Sequence, residues 1–361
     1  MARHLLVALL CCCSIGSAIG ADDQTWVEID GKVYGARPDE RGPLGGGPGY
    51  TGIVTGGDYT VKTLDELLDA LAEAKAGEIV FIPDETVIDL TARIYIEKLV
   101  LEVPEGVTLA GNRGHNGSLG AQLTSDALAT SNMIRPLGPD VRITGLRIQG
   151  PNPKRYLDHH RRSFRRGGPG HDYYYKLPTS NGIRMDYANL EVDNCVITAF
   201  SHAAIFLVKG EGHRIHHNFI HHCQYNGLGY GVSHDAASSI IEYNQFDSNR
   251  HSIAGTGRPG CSYVARHNVE LGTSLSHCFD MHGGRDRKDG TEIAGTRIEI
   301  YNNTFRARKR AIVIRGVPQD ICHVTRNWFV EVGGRRRGPV RSPGNTTVED
   351  NVYGPAPTEA R

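Results

Sequence analysis

Short apolar runs recur along this chain at near-constant spacing, each closed by a turn residue. The clearest run is Ile241-Glu-Tyr-Asn-Gln-Phe246. Aligned on Asn244, the same form stands at Asn194, Asn218, Asn268, Asn303, Asn327 and Asn351, with steps of 24, 26, 24, 35, 24 and 24 residues. Most copies read apolar-x-x-Asn-x-apolar, as in Ile215 to Ile220, Ile300 to Phe305, Val324 to Phe329 and Val348 to Tyr353. A repeat of this size is one supersecondary unit that buries its apolar face only by stacking on the next. The repeats hold alternating Val, Ile and Phe between Gly, Asn and His. They show neither a leucine-rich pattern nor apolar positions at helical spacing. The pattern therefore predicts an all-β chain, a parallel β-helix with about three short strands per turn. The asparagine column has a physical reason. Its side chains hydrogen-bond neighbouring backbone at tight bends, stacked copies satisfy one another, and Asn tolerates the left-handed conformation.

In chain order, Met1 to about Gly20 reads as a secretory signal. Arg3 and His4 precede the apolar Leu5 to Cys13, too short to span a bilayer, and small residues follow at Ser17 to Ala21. This predicts a secreted or periplasmic protein. Leucines before Cys11-Cys12-Cys13 argue against lipid attachment there. Residues 21–55 are Gly- and Pro-rich and predict a loop or extended arm. Thr63 to Ala74 is an amphipathic helix with Leu64, Leu67, Leu68 and Leu71 on one side, suited to cover the open end of a solenoid. Strands are expected near 79–82, 93–96, 99–103 and 107–109, with an inserted loop at 118–131. The single solenoid domain, 56–361, carries two insertions, 151–180 and 283–295.

Composition adds limits. Forty basic and forty acidic residues cancel, which gives no case for nucleic acid or for a charged membrane surface. No later segment is long and apolar enough to cross a membrane. Basic residues are nevertheless clustered in 154–167 and 306–315, and such patches suit an acidic polymer. Insertion 151–180 also holds His171-Asp-Tyr-Tyr-Tyr-Lys176, where Tyr174 and Lys176 are candidates to meet sugar rings carrying carboxylates. Arg285 and Arg287 in the second insertion are candidates of the same kind. Beyond the signal, Cys195, Cys223, Cys261, Cys278 and Cys322 are odd in number and lack CxxC spacing, so they read as buried small hydrophobes, with one bridge between coils left open.

Between the asparagine strands each coil holds a second strand. Stacking Ile183, Ile205, Val232, Ile253, Phe279 and Ile312 as an inward column turns outward the residues one and three positions later. These are Arg184/Asp186, Phe206/Val208, Ser233/Asp235, Ala254/Thr256, Asp280/His282 and Val313/Arg315. Three positions before the column lie His202, Arg250, Ser276 and Lys309. With coils about 4.8 Å apart, Asp235, Arg250, His251, Asp280, His282, Lys309 and Arg315 fall on one patch. A solvated sheet face is ordinarily Thr, Ser and Lys. Here Asp and His interrupt strands beside Arg. A one-residue slip in register would exchange the two faces. His234 and His277 flank the patch, whereas His213, His216, His217, His221 and His222 are too dispersed to share one metal.

Over roughly 56–354 the chain resembles the right-handed parallel β-helix proteins of the pectate-lyase-like superfamily, most strongly at Thr63 to Leu71, Ala76-Gly-Glu-Ile-Val-Phe-Ile-Pro83 and Val107-Thr-Leu-Ala-Gly-Asn-Arg-Gly114. The resemblance implies a right-handed β-helix with a short N-terminal capping helix. It also implies β-elimination on an acidic polysaccharide, often with calcium and an Arg or Lys base. The Trp-Ile-Asp-His segment common in the superfamily is absent, and Arg315-Gly-Val-Pro318 is only a fragment of its Arg-x-x-Pro-x-x-Arg pattern. Elimination needs a uronate carboxylate neutralised and a base within reach of C5. The expected catalytic candidates are His282, Arg315, Arg250, His251 and Lys309. Arg184, His202, Tyr174, Lys176, Arg285 and Arg287 are expected to bind substrate. Asp235, Asp280 and His282 are expected to hold a divalent metal, calcium first, with manganese or zinc as alternatives. A monomer acting on an acidic polysaccharide is the leading expectation. The alternatives are two-carboxylate glycoside hydrolysis, uronate epimerisation, and a non-catalytic carbohydrate-binding β-helix.

Overall fold

The computed structural model describes residues 24–151, 154–331 and 338–355, so the signal-like Met1–Gly20 lies outside the described residues. From Tyr59 onward the strands wind as a right-handed parallel β-helix. Among the described residues every strand pairing in it is parallel, and the arm holds an antiparallel pair, Trp26–Ile29 with Lys32–Gly35. Two faces merge into one 18-stranded sheet because Ala203–His216 and Tyr230–Glu242 run continuously around the bend between them; a 10-stranded sheet makes the third face. One apolar core runs the length of the coil. On the third face its inward column reads Ile148, Ile197, Ile220, Phe246, Glu270, Phe305, Phe329. Glu270 is thus a carboxyl group inside an otherwise apolar stack. Burial pushes its pKa up to about 8, against only a weak opposing contact from Ser252.

The asparagines form a ladder, with one correction to its membership. Asn218, Asn244, Asn268, Asn303 and Asn327 each donate from Nδ2 to the next Oδ1 at 3.0–3.1 Å, ending on Asn351. Each of these five also donates to a carbonyl of the preceding coil, as Asn244 does to Ile215. Strand register puts Cys195, not Asn194, opposite Asn218. Asn194 instead takes the left-handed bend (φ 53°) that His217, Tyr243, His267, Asn302 and Arg326 take in later coils. The ladder residue therefore supplies hydrogen bonds, and its predecessor supplies the turn.

Helix Leu64–Glu73 caps the coil, as its periodicity predicts. Thr63 and Glu66 close a capping box, and Leu67, Ala70 and Leu71 face inward. The strand expected at 93–96 is instead a helix, Thr91–Glu97, which ends on left-handed Lys98. The expected loop 118–131 contributes a strand, Gln122–Thr124, to the third face. Insertion 151–180 carries helices Lys154–Phe164 and His171–Tyr174, and insertion 283–295 the short helix Gly284–Arg287. The Gly/Pro-rich arm is not loose. It lies along the asparagine turns, from Tyr34 on Asp350 to Tyr50 on Asp193. Gly46 must be glycine here, because a Cβ would come within 2.4 Å of the His217 carbonyl. The five cysteines Cys195, Cys223, Cys261, Cys278 and Cys322 are buried, with no disulfide among them. No helix among the described residues is long and apolar enough to cross a membrane.

Candidate functional site

The inward column stacks in the expected register: Ile183 on Ile205, Val232, Ile253, Phe279 and Ile312, all fully buried. With Phe279 and Met281 in the core, Asp280 and His282 point to the outer face of strand Phe279–Met281. Yet Asp280 has no exposed surface. Arg315 grips it with two hydrogen bonds, Nε to Oδ1 at 2.9 Å and Nη2 to Oδ2 at 2.8 Å. His277 Nε2 lies 2.9 Å from Oδ1, His282 Nε2 3.0 Å from Oδ2, and His251 Nε2 3.8 Å from Oδ2. Two paired strands, Phe279–Met281 and Ile312–Ile314, with the residues just before and after them, supply most of this cluster, and His251 comes from the strand of the preceding coil.

Electrostatics follow from that crowding. Burial alone would raise the Asp280 pKa, but its contacts with His277 and His282, and the charge of its neighbours, hold it well below the usual carboxylate range. Desolvation pulls Arg315 down while Asp280 more than restores it, so Arg315 stays cationic. Burial drives His251 well below its ordinary value despite Asp280, and lowers His277 in the same way. Tyr230 stacks on His251 at 5.9 Å with its phenol raised by burial, and the Arg250 guanidinium lies 5.9 Å from the Tyr230 ring centre.

Beside the cluster opens a cleft of about 770 Å³ reached by His277, Arg315, Lys309, Arg310, Arg285 and Arg341, with Asp286 as its acidic member. Asp286 lies 3.4 Å from Arg315. Lys309 is exposed and makes no ion pair or hydrogen bond among the described residues.

The expected site residues divide accordingly. His282, Arg315, His251 and Asp280 come together, Lys309 and Arg285 reach the adjoining cleft, and Arg250 lies one coil away, donating to the Leu228 carbonyl. Asp235 is not with Asp280. It accepts from Thr256 and pairs with Arg258, so it is no partner in a shared metal site. Arg287 is a staple rather than a substrate contact, bound to Asp289 and to the carbonyls of Thr256 and Ile293. Tyr174 is buried. It stacks on Tyr225 at 4.8 Å and donates to the Asn226 carbonyl, anchoring the insertion, while Lys176 stays exposed nearby. Arg184 is paired with Asp186. His202 contacts Asn181 at 2.6 Å, and its pKa falls to about 4 through burial and Arg184.

The sequence placed His277 only as a flank of the patch and gave Tyr230 no role. Both lie two positions before the inward column, as His251 does, where strand alternation predicts a buried side chain. At that bend the chain turns between faces, and Tyr230 pairs directly with His251. Stacking that second column as well as the first would have found them.

Among the described residues, two groups of side chains have metal-compatible spacing: His251/His277/Asp280 and Glu191/Asp193/His216. The second is spoken for. Asp193 accepts from Arg142 twice, from Thr144 and from Tyr50, and Glu191 lies 2.9 Å from His216 Nε2. The first does not suit calcium, which takes six to eight oxygen ligands, because it offers two imidazoles and one carboxylate already gripped by Arg315.

No protein-family model matches the chain, and no curated protein matches it in sequence. Among solved structures it is similar to an alginate lyase from Paenibacillus sp. str. FPU-7, with a TM-score of 0.54 and 13% identity over 82% of this chain and 95% of that one. Weaker likenesses are a Yersinia enterocolitica family 28 exopolygalacturonase, at TM-score 0.42 and 11% identity over 84% and 76% of the two chains, and the Dettilon tailspike protein, at 0.35 and 11% over 81% and 64%. At these identities the likeness is one of fold.

Proposed function

We propose that this chain is a polysaccharide lyase that cleaves a uronic-acid-containing polymer by β-elimination. One observation carries the reading: the carboxylate at the centre of the face is sealed beneath imidazoles and Arg315, and the charged groups that reach the cleft are cationic except Asp286, which lies against Arg315. A face built this way attracts and neutralises a substrate carboxylate, which acidifies the C5 proton beside it. Arg315 and Arg285 meet that carboxylate. His282 takes the C5 proton, and Asp280 at 3.0 Å stabilises the imidazolium that forms. The C5–H electrons form the C4–C5 double bond, the C4–O bond breaks, and the leaving oxygen takes a proton from Lys309.

Two-carboxylate hydrolysis finds less support. It needs two accessible carboxyl groups about 5–9 Å apart, whereas Asp280 is inaccessible, Asp286 is paired with Arg315 and Asp235 with Arg258. Epimerisation would use the same proton abstraction without breaking C4–O.

The test is a panel of pectate, alginate, glucuronan and glycosaminoglycan, followed by the near-ultraviolet absorbance of the unsaturated uronate. A rise on one polymer that is lost in His282→Ala supports elimination at this face. New reducing ends without absorbance would replace it with hydrolysis. Altered uronate configuration without chain cleavage would replace it with epimerisation, and no product at all would leave a binding protein.

A further inference from the structure

We infer that His251, His277 and Asp280 bind a borderline transition-metal dication of the zinc class, with one coordination position open toward the cleft. The inference goes beyond the elimination reading and does not rest on it. His251 Nδ1 lies 2.6 Å from the carbonyl oxygen of His277. A carbonyl only accepts, so Nδ1 carries the hydrogen, and Nε2 of the neutral ring carries a lone pair. That Nε2 is buried, has no hydrogen-bond partner, and faces Asp280 Oδ2 at 3.8 Å. Two electron-pair donors pointing at each other inside a protein repel unless a cation lies between them. His277 Nε2, 2.9 Å from the other carboxylate oxygen, is also buried without hydrogen-bond geometry. The ligand atoms of the three residues all lie within 4.8 Å of one another.

Two imidazole nitrogens and one carboxylate oxygen are the donors of three-ligand zinc centres that keep a position for water or substrate. The neighbours fit that role. A metal-bound imidazole commonly donates its other N–H to a backbone carbonyl, as His251 does to His277. Arg315 uses one lone pair on each Asp280 oxygen and His282 Nε2 faces a second on Oδ2, and a carboxylate offers about four, so one on Oδ1 remains for a metal. His277 also borders the cleft, which gives an ion a way in. A dication beside Arg315 leaves surplus positive charge at the cleft, matched to an anionic ligand.

The full chain, untagged and stripped with chelator, is titrated with Co²⁺ in the absence of any polysaccharide. The expected result is one cobalt per chain with visible d–d absorption and a raised unfolding midpoint. His277→Ala should weaken binding by more than about 100-fold, while His216→Ala and excess calcium leave it unchanged. His251→Ala should act like His277→Ala; if it does not fold, the substitutions at the less deeply buried His277, His277→Ala and His277→Gln, decide. Absence of the bands, their survival in His277→Ala, their loss in His216→Ala, or displacement by calcium would overturn the inference. Because no polymer is present, failure of the elimination assay and failure of metal binding are separate results.

Discussion

The molecule carries two buried clusters at bends of the β-helix, each built around an Asp with Arg and His. At the asparagine turns, Asp193 has no exposed surface and is held by Arg142, Thr144 and Tyr50, while Arg41 joins Asp39 to Glu242 and Arg266 completes the chain. The N-terminal arm covers this corner and supplies Tyr50, Asp39 and Arg41. Around Asp280 no arm arrives. Three imidazole nitrogens there have no hydrogen-bond partner, and a cationic cleft opens alongside. The difference is one of cover. The asparagine corner also keeps a buried nitrogen without a hydrogen-bond partner, His217 Nε2, but the arm closes over it, whereas unspent groups beside a cleft have something left to offer a ligand.

That contrast is sharpest as a double dissociation. His282→Ala should lower the elimination rate by roughly 10²–10⁴-fold, leaving the thermal midpoint nearly unchanged. Equal activity in wild type and variant, measured by product absorbance, would break the assignment of the open cluster to chemistry. Asp193→Ala should do the reverse. Removing the partner of Arg142 should cost about 3–5 kcal/mol of stability, read by denaturant unfolding, with turnover of the surviving folded protein preserved.

Glu270 tests the same rule where burial outweighs the single opposing contact, from Ser252. Its ordinary pKa is 4.5, and burial raises it to about 8 in the fold. The folded state therefore holds a proton that the unfolded state releases. Glu270's contribution is full below about pH 4.5 and is lost as pH rises through about 8. Stability should fall by about 3 kcal/mol between about pH 5 and pH 8 from this group alone, and Glu270→Gln should flatten that slope in unfolding curves taken across the range. The smallest expected effect is Tyr50→Phe, which removes one hydrogen bond of 3.0 Å to the Asp193 carboxylate. It should cost roughly 1.5 kcal/mol and leave activity alone. A loss of activity instead would mean that the covered corner also serves the reaction.

The repeat, the capping helix and the inward column from Ile183 to Ile312 were legible in the sequence, because a β-helix repeats its burial pattern every coil and each local choice is copied down the stack. That column brought out Asp280, His282 and Arg315 together. Glu270 breaks the apolar-x-x-Asn-x-apolar pattern at its last position, but the break alone does not say that the carboxyl group is buried. Spacing alone set none of the rest. Asn194 and Cys195 exchange roles because one coil is a residue shorter through that turn. Tyr174 and Arg287 look like substrate ligands in sequence, but packing against Tyr225 and two backbone carbonyls uses them up. His277 enters the site at a bend, where strand alternation no longer says which way a side chain points. Sequence determined which residues stack, because stacking is periodic. Only the tertiary structure decided which polar groups are satisfied and which remain open, because that depends on an arm and bends that do not repeat.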